Sequence, residues 1–138
     1  MIKYTHNKMK YLKQFEILQG SSITKSLKQD ILITQNGWNE LMSSITFGDK
    51  KLFYKLIKDN SINLEETDYD GNTALILAAK NHKLDFIKEL LKNGANMLHK
   101  NYIGEDFYDA SVNTYINNVK NWIEKKYPGF IIAKKYNL

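Results

Sequence analysis

Residues 68–100 read DYDGNTALILAAKNHKLDFIKELLKNGANMLHK, a unit of 33 residues. Within this unit a turn sequence around Gly71 precedes a short apolar segment, and a second, amphipathic segment ends before Gly94. Apolar residues three and four positions apart lie on one face of a helix. The stretch therefore predicts a turn followed by two antiparallel helices that pack through their apolar faces.

The turn sequence recurs along the chain. Glycine occupies positions 37, 71 and 104, at spacings of 34 and 33 residues. Four residues after each glycine stands a large side chain, namely Leu41, Leu75 and Tyr108. A second apolar cluster follows at a matching offset in the first two units, and its members are Leu52, Phe53, Leu56, Ile57, Phe86, Ile87, Leu90 and Leu91. A fixed period of this length is typical of a stacked repeat array, in which no unit can bury its apolar face alone.

Local signals predict where the helices of the central unit begin and end. Thr73 is predicted to cap the first helix because its hydroxyl can accept a hydrogen bond from a free backbone N–H. Gly94 is predicted to end the second helix in the left-handed conformation. Leu75, Ala78 and Ala79 are predicted to form the buried seam of the first helix, where the two alanines let neighbouring units approach closely.

The central unit resembles an ankyrin repeat. Residues 73–76 read Thr-Ala-Leu-Ile where that family usually has Thr-Pro-Leu-His, and His82 occupies the place of a glycine that needs a positive φ. The resemblance implies an all-α fold. The expected architecture is a short ankyrin-repeat solenoid of about two to three helix-turn-helix repeats, with helical N- and C-terminal caps.

The repeats and their flanks divide the chain into segments. An N-terminal helical cap is expected over residues 1–33, repeats over 34–67, 68–100 and 101–127, and a C-terminal tail over 128–138. The first unit is degraded relative to the central one. The third keeps Gly104 and is expected to act as a degenerate cap.

The N-terminal cap is predicted to contain two short helices. One runs from Lys8 to Leu18, and a second carries Ile23, Leu27 and Ile31 at a spacing of four residues. Together they are expected to cover the exposed side of the first repeat.

The C-terminal end is predicted to close the core of the array. Val119, Trp122 and Ile123 are expected to close the core, and the Pro128-Gly129 pair is expected to end their helix. The apolar residues 130–132 then either dock back on the repeats or stay free.

Positive charge is concentrated at the two ends of the chain. The sequence has 20 lysines, no arginine and a net charge of +5, with +4 in residues 1–33, −3 in 34–118 and +4 in 119–138. The lysines near the N-terminus are interleaved with tyrosines: Lys3, Tyr4, Lys8, Lys10, Tyr11 and Lys13. They suggest a nucleic-acid or anionic-surface binder as an alternative function. The absence of arginine weighs against sequence-specific nucleic-acid recognition, and the lysines have a second interpretation as the solvated face of a capping helix.

Other features of the composition indicate the cellular compartment in which the protein is expected. The chain has no cysteine, which excludes disulfides and thiolate metal sites and fits a reducing compartment. Its apolar runs are too short to span a bilayer, and no apolar segment follows the N-terminal lysines as in a signal peptide. A cytoplasmic location is therefore expected, in the host cytoplasm if the protein is viral.

Catalytic and metal-binding patterns are not found in the sequence. His6, His82 and His99 lie in different predicted elements, without metal-ligand spacing. Glu105, Asp106 and Asp109 cluster near the third turn, where they form an acid–base pair, a solvated face or charge compensation at a helix N-terminus. We predict that the protein is not an enzyme and uses no cofactor or metal.

The ankyrin resemblance implies a partner-binding surface at the turn tips and on the first helix of each repeat. Carried over to this sequence, the partner-binding positions are Trp38, Phe47, Tyr69, Asp70, Asn72, Lys80, Asn81, Lys100, Tyr102, Ile103 and Glu105. Aromatic residues at such positions are typical of interface hot spots. Trp38 and Phe47 have an alternative place beneath the N-terminal helices.

The resemblance therefore implies a non-enzymatic protein–protein interaction module. A viral or symbiont effector or inhibitor that binds a host protein through the concave face is one version, and an adaptor is another. Self-association through the aromatic face or residues 130–132 is a third hypothesis.

Overall fold

The computed structural model describes residues 25–112 and 116–138, and within them every regular element is an α-helix. The helices are α1 (Lys25–Asn36), α2 (Glu40–Phe47), α3 (Lys50–Ile57), α4 (Ala74–Lys80), α5 (Leu84–Lys92), α6 (Phe107–Val112), α7 (Asn118–Lys126) and α8 (Pro128–Tyr136). None of these described helices is long and apolar enough to cross a membrane.

Three helix pairs form two layers. α2 pairs with α3, α4 with α5 and α6 with α7, and the inner helix α4 packs between α2 and α6. Ala78 and Ala79 of α4 are fully buried, so their small side chains let the neighbouring helices approach. The predicted all-α repeat solenoid is confirmed.

Equivalent side chains begin the inner helices of the first two pairs. The Oγ1 atom of Thr73 accepts a hydrogen bond from the backbone N–H of Ile76 at 3.4 Å, as predicted for an N-cap. Asn39 does the same in the first pair, because its Oδ1 accepts from the N–H of Met42 at 2.8 Å. The degraded first repeat therefore keeps its capping function with a different residue.

The turn between the two helices of a pair needs left-handed backbone. Gly48 has φ +72° in the first pair, and His82 has φ +55° at the equivalent position of the second. The prediction that His82 replaces a positive-φ glycine is confirmed. A non-glycine residue is strained there, so this turn is held by the helices on either side.

An aromatic pair joins the outer helices of successive repeats. Phe53 of α3 and Phe86 of α5 stack with ring centroids 4.2 Å apart and an interplanar angle of 27°. Phe53 is 0% and Phe86 2% exposed. Because the two rings belong to different repeats, this contact couples the first repeat to the second.

The N-terminal cap is described only from residue 25 onward. The predicted helix from Lys8 to Leu18 lies outside the described residues. α1 carries Ile31, which is buried, and Leu27, which is exposed. It continues to Asn36 and so crosses the expected boundary at residue 33.

The C-terminal segment, expected as a tail, forms helix α8. α7 ends at Lys126, before Pro128 as predicted, but Pro128 then opens α8, where its fixed φ and missing N–H suit a first helical turn. The ring centroid of Phe130 lies 5.9 Å from that of Phe107. Of the two alternatives for residues 130–132, the segment docks back on the repeats.

Candidate interaction surface at the repeat turns

Three turns with left-handed glycines align at one edge of the array. Gly37, Gly71 and Gly104 have φ values of +70°, +79° and +82°. The backbone N–H of Tyr69 donates to the carbonyl of Asn36 at 3.0 Å, just before the first glycine. The equivalent Tyr102 donates to the carbonyl of Asp70 at 3.1 Å, so each turn is tied to the one before it.

Each tyrosine also packs its ring on the preceding glycine. A Cβ atom added to Gly37 would lie 2.7 Å from Cδ1 of Tyr69, and one added to Gly71 would lie 2.8 Å from Cδ1 of Tyr102. Such distances leave no room for a side chain, so these contacts require glycine. Both residues remain exposed to solvent, Tyr69 by 51% and Tyr102 by 77%.

A chain of buried polar side chains runs behind the turns. Asn72 donates from Nδ2 to Oδ2 of Asp68 at 3.2 Å and accepts at Oδ1 from Nδ2 of Asn101 at 2.9 Å. All three side chains are buried. The prediction that Asn72 contacts a partner is therefore wrong: only 2% of this residue is exposed, because its amide joins two turns inside the protein.

Asp68 and Asn101 play the same part in their own turns. Asp68 accepts the N–H groups of Asp70 and Asn72 through Oδ1, and Asn101 accepts those of Ile103 and Glu105 in the same way. The sequence prediction did not include Asn101 as a structural residue. Its signal was the 33-residue spacing from Asp68, which places two Asx side chains at the same position of successive turns.

His99 adds a further bond between turns. Its Nε2 lies 3.0 Å from the carbonyl oxygen of Gly71. A carbonyl can only accept, so Nε2 carries the proton in this contact. His99 therefore supports the turn array, a role that its place in the sequence did not reveal.

The remaining predicted contact positions divide by exposure. The exposed ones are Tyr69, Asp70, Lys80, Lys100, Tyr102 and Ile103, and the half-buried ones are Trp38, Phe47, Asn81 and Glu105. The turns therefore present two tyrosines and an isoleucine to solvent in one row. Large exposed side chains of this kind are typical of interaction surfaces.

Trp38 and Phe47, two further predicted contact positions, pack against each other. Their rings meet edge to face with centroids 5.9 Å apart. Both side chains are half-buried. The pair thus contributes to packing along α2, and only part of its surface is accessible to a partner.

The acidic residues near the third turn hold the C-terminal helix. Asp106 and Asp109 cap α6 reciprocally, each accepting the backbone N–H of the other at 3.0 to 3.1 Å. Lys134 of α8 lies 2.6 Å from Oδ2 of Asp106 and 3.1 Å from Oδ2 of Asp109. Of the predicted interpretations, this geometry is the helix N-terminal one, with an added ion pair. No cluster of three or more potential metal ligands occurs in residues 25–112 and 116–138.

The ion pair shifts the proton affinities of its members. Burial by itself lowers the pKa of Lys134, but its hydrogen bonds and charge interactions with Asp106 and Asp109 outweigh burial and raise that pKa above its usual value. Burial alone raises the pKa of Asp109, yet the Asp106 N–H and the Lys134 ammonium bring it below its usual value. Both shifts favour the charged forms in the folded protein.

A tyrosine hydroxyl joins the third helix pair. Tyr108 donates to Oε1 of Glu124 at 2.8 Å, linking α6 to α7. Burial and this hydrogen bond raise the pKa of Tyr108 to about 12. The hydroxyl therefore keeps its proton, and this bond, throughout the neutral range.

Replacing Lys134 tests whether the ion pair secures α8. We expect Lys134→Met to lower the free energy of unfolding by roughly 1–3 kcal/mol near pH 7, since the buried Asp106 carboxylate loses its donor. The deficit relative to wild type should shrink as the pH falls below about 4, where the carboxyl of unfolded Asp109 becomes protonated, and again above about 10, where unfolded lysine is neutral. Urea unfolding of the variant and the wild type at several pH values measures this difference in the free energy of unfolding.

The neighbouring lysine provides the control for this prediction. Lys135 is exposed and forms no ion pair within the described part of the chain. Lys135→Met removes the same charge and should leave stability nearly unchanged. Equal losses for the two variants would show that net charge, and not the Asp106 contact, is responsible.

Some lysines of the C-terminal end form ion pairs and others are exposed. Lys134 is engaged with two carboxylates, and Lys120 lies 3.8 Å from Glu124. Lys125, Lys126 and Lys135 are exposed. Part of the positive charge counted in the sequence is therefore neutralised within the fold. The N-terminal lysines from Lys3 to Lys13 lie outside the described residues.

Comparison with known proteins agrees with this geometry. The family of ankyrin repeats (3 copies) matches residues 5–101, and this match begins inside the segment expected to be a cap. A chain in the structure of the Bd0816 predatory endopeptidase from Bdellovibrio bacteriovorus in complex with immunity protein Bd3460 is similar in fold. Its TM-score is 0.59 and its identity 30%, over 64% of this chain and 46% of that one.

A sequence relative is alpha-latroinsectotoxin-Lt1a of Latrodectus tredecimguttatus. It is 36% identical over 73 residues, or 52% of this chain, and the matched part is 5% of the toxin's length. The chain thus spans less than half of the solved chain and a small part of the toxin. The family match covers more than half of the present chain, so the protein belongs to the ankyrin repeat family.

Proposed function

We propose that this protein is a non-enzymatic interaction module that binds another protein through the row of exposed side chains at its turns and inner helices. The observation that carries the proposal is the arrangement of Tyr69, Asp70, Tyr102 and Ile103, all exposed, on turns that are rigidly tied together. Ankyrin repeats are generally non-enzymatic and support protein–protein interaction, which agrees with this reading.

The rigidity of the turns favours binding. Backbone bonds, tyrosine–glycine contacts and the buried Asp68–Asn72–Asn101 chain hold successive turns in register. A surface that is ordered before binding loses little conformational entropy when the partner docks. The turn row can therefore present its aromatic and charged groups at fixed spacing to a folded partner.

Inhibition of an enzyme is the form of this function that the comparisons support best. The similar solved chain belongs to a complex between an endopeptidase and an immunity protein. A compact repeat module of 138 residues is large enough to cover an active site of another protein. A viral or symbiont origin, a host partner and a cytoplasmic location stay predictions from the sequence.

Charge reversal on the exposed row tests the proposal. Partners are first captured from the native source with the wild-type protein and identified by mass spectrometry. The affinity of the purified partner is then measured for Asp70→Lys combined with Lys80→Glu. Both side chains are exposed. We expect at least about a tenfold loss of affinity, or roughly 1.4 kcal/mol.

The same repeat offers a matched control on its outer helix. Asp85→Lys combined with Lys92→Glu makes the same two reversals at exposed positions of α5. This control should retain the wild-type affinity. If the two double variants bind alike, the turn row is not the binding surface.

The alternative function, a nucleic-acid or anionic-surface binder, has a different signature. Binding through lysine-rich ends should weaken steeply between about 50 and 200 mM salt, because bound lysines release counterions. The engagement of Lys134 with Asp106 and Asp109 argues against a free basic surface around that residue. Affinity that is flat in salt rules this alternative out.

A further inference from the structure

The three turns differ in what lies against their glycines. The ring of Tyr69 covers Gly37, and the ring of Tyr102 covers Gly71. Gly104 has the same left-handed conformation, with φ +82°, yet among the described residues no atom beyond its own chain neighbours lies within 4 Å of the position its Cβ would take. The third turn therefore has the backbone conformation that carries a tyrosine ring at the other two turns, and no tyrosine of residues 25–112 and 116–138 lies on it.

The backbone around Gly104 repeats the same pattern. The carbonyls just before the first two glycines, those of Asn36 and Asp70, each accept the N–H of the covering tyrosine. The equivalent carbonyl at the third turn belongs to Ile103. Among residues 25–112 and 116–138, no backbone N–H donates to it.

The carbonyl of the glycine itself accepts a further hydrogen bond at the second turn, whereas no described residue donates to the carbonyl of Gly37 at the first. The carbonyl of Gly71 accepts from Nε2 of His99, in addition to the contact with the tyrosine ring. No donor from the described residues reaches the carbonyl of Gly104. The feature of both templates that recurs at the third turn is therefore the carbonyl of Ile103 beside the exposed surface of Gly104.

The side chains beside Gly104 are apolar and accessible. Ile103 is 78% and Tyr102 77% exposed, the highest values among the aromatic and aliphatic residues of the turns. An exposed ring and an isoleucine at the rim of an open backbone site are suited to exclude water from an added contact. The tyrosine–glycine contacts at Gly37 and Gly71 are examples of such a contact within this chain.

We propose that the turn at Gly104 is a docking site for a tyrosine-bearing turn of a partner protein, which would extend the row of turns by one. The partner's tyrosine ring would lie on Gly104, and its backbone N–H would donate to the carbonyl of Ile103. This inference rests on the proposed function and names the chemistry that the partner presents. The internal contacts at Gly37 and Gly71 are its templates.

A peptide of the chain itself serves as the probe. Residues 97–107 contain the turn that covers Gly71, and a cyclic peptide of this sequence presents Tyr102 in a turn. Added at millimolar concentration to the isotope-labelled full chain, it should shift the amide resonances of Ile103 and Gly104. A peptide with Tyr102→Ala should bind at least about tenfold more weakly.

Two variants of the full chain locate the binding. Gly104→Asn blocks the ring position while keeping a residue that tolerates positive φ. Gly94→Asn makes the same change at Gly94, which has φ +90° and is also without a neighbour within 4 Å. Peptide binding should be lost in Gly104→Asn and retained in Gly94→Asn, and circular dichroism of both variants checks that they are folded.

The outcomes separate this proposal from the proposed function. Shifts that do not involve Gly104, equal binding of the alanine peptide, or equal effects of the two asparagine variants would overturn it. A dimer in sedimentation that Gly104→Asn abolishes would assign the site to a second copy and also overturn it. If the peptide fails while the Asp70→Lys and Lys80→Glu variant still loses its partner, only the docking site at Gly104 is wrong.

Discussion

Phe86→Ala is expected to lower the free energy of unfolding by about 3–5 kcal/mol, the usual cost of truncating a buried phenylalanine. Phe86 is almost completely buried and stacks on Phe53 at 4.2 Å. The substitution removes apolar burial and leaves a cavity between two repeats. Since small domains are stable by only about 5–15 kcal/mol, this is a large fraction of the total.

The loss should also appear as reduced cooperativity. In a repeat array, stability is the sum of the repeats and the interfaces between neighbours, and Phe86 lies at such an interface. Urea unfolding followed by circular dichroism should show a lower midpoint and a shallower transition. If the midpoint moves but the slope does not, the two repeats are coupled mainly by other contacts.

Two companion variants define the size of the effect. Phe86→Leu keeps most of the apolar volume and should lose clearly less stability, which preserves a folded protein if the alanine variant unfolds. Tyr136→Ala truncates an aromatic ring that is 63% exposed and should change stability by no more than about 0.5 kcal/mol. An equal loss for Phe86→Ala and Tyr136→Ala would contradict the importance of the stack.

Asn101→Asp is expected to lower the free energy of unfolding by about 3 kcal/mol near neutral pH, through an uncompensated buried charge. The Nδ2 group of Asn101 donates to Oδ1 of Asn72, inside the protein. A carboxylate at this position places an acceptor against an acceptor. The change adds one charge and almost no volume. The loss of stability therefore measures the cost of placing a carboxylate where the protein needs a hydrogen-bond donor.

The pH dependence of this variant has a defined sign. Burial opposite Oδ1 of Asn72 raises the pKa of the introduced carboxyl above that of an unfolded aspartate. The penalty is therefore full above the raised pKa and disappears as the pH falls through it, when the protonated carboxyl can donate. The difference from wild type, measured by urea unfolding, should shrink on acidification.

Asn63→Asp is the matched control. Asn63 is exposed, and its Oδ1 accepts the N–H of Glu65 at 2.9 Å, as Oδ1 of Asn101 accepts that of Ile103. Replacing Asn63 by Asp keeps the acceptor for the N–H of Glu65 and places the new charge in solvent. A deficit in Asn101→Asp that is no larger than in this control, or one that does not vary with pH, would contradict the buried polar chain.

Much of the fold was predictable from single residues because helix ends depend on neighbours within four positions. Thr73 caps its helix and His82 adopts positive φ as predicted. The candidate contact surface was predicted less well. Asn72 was assigned to it because of its family position, yet the backbone turns its amide toward Asn101 of the next repeat. Exposure of that side chain depends on a contact 29 residues away.

The remaining features depend on how the repeats stack. The cluster offsets align Phe53 with Ile87 at a spacing of 34, whereas the stacked partner is Phe86, because the relative rotation of two helix pairs decides which side chains meet. In the same way Pro128 correctly marks the end of α7, but the docking of α8 depends on tertiary contacts, which bring Phe130 against Phe107 and Lys134 against Asp106. Local hydrogen bonds join residues that are close in the sequence, so they can be predicted from it. The side chains that meet between repeats depend on how the helices pack, which only the tertiary structure decides.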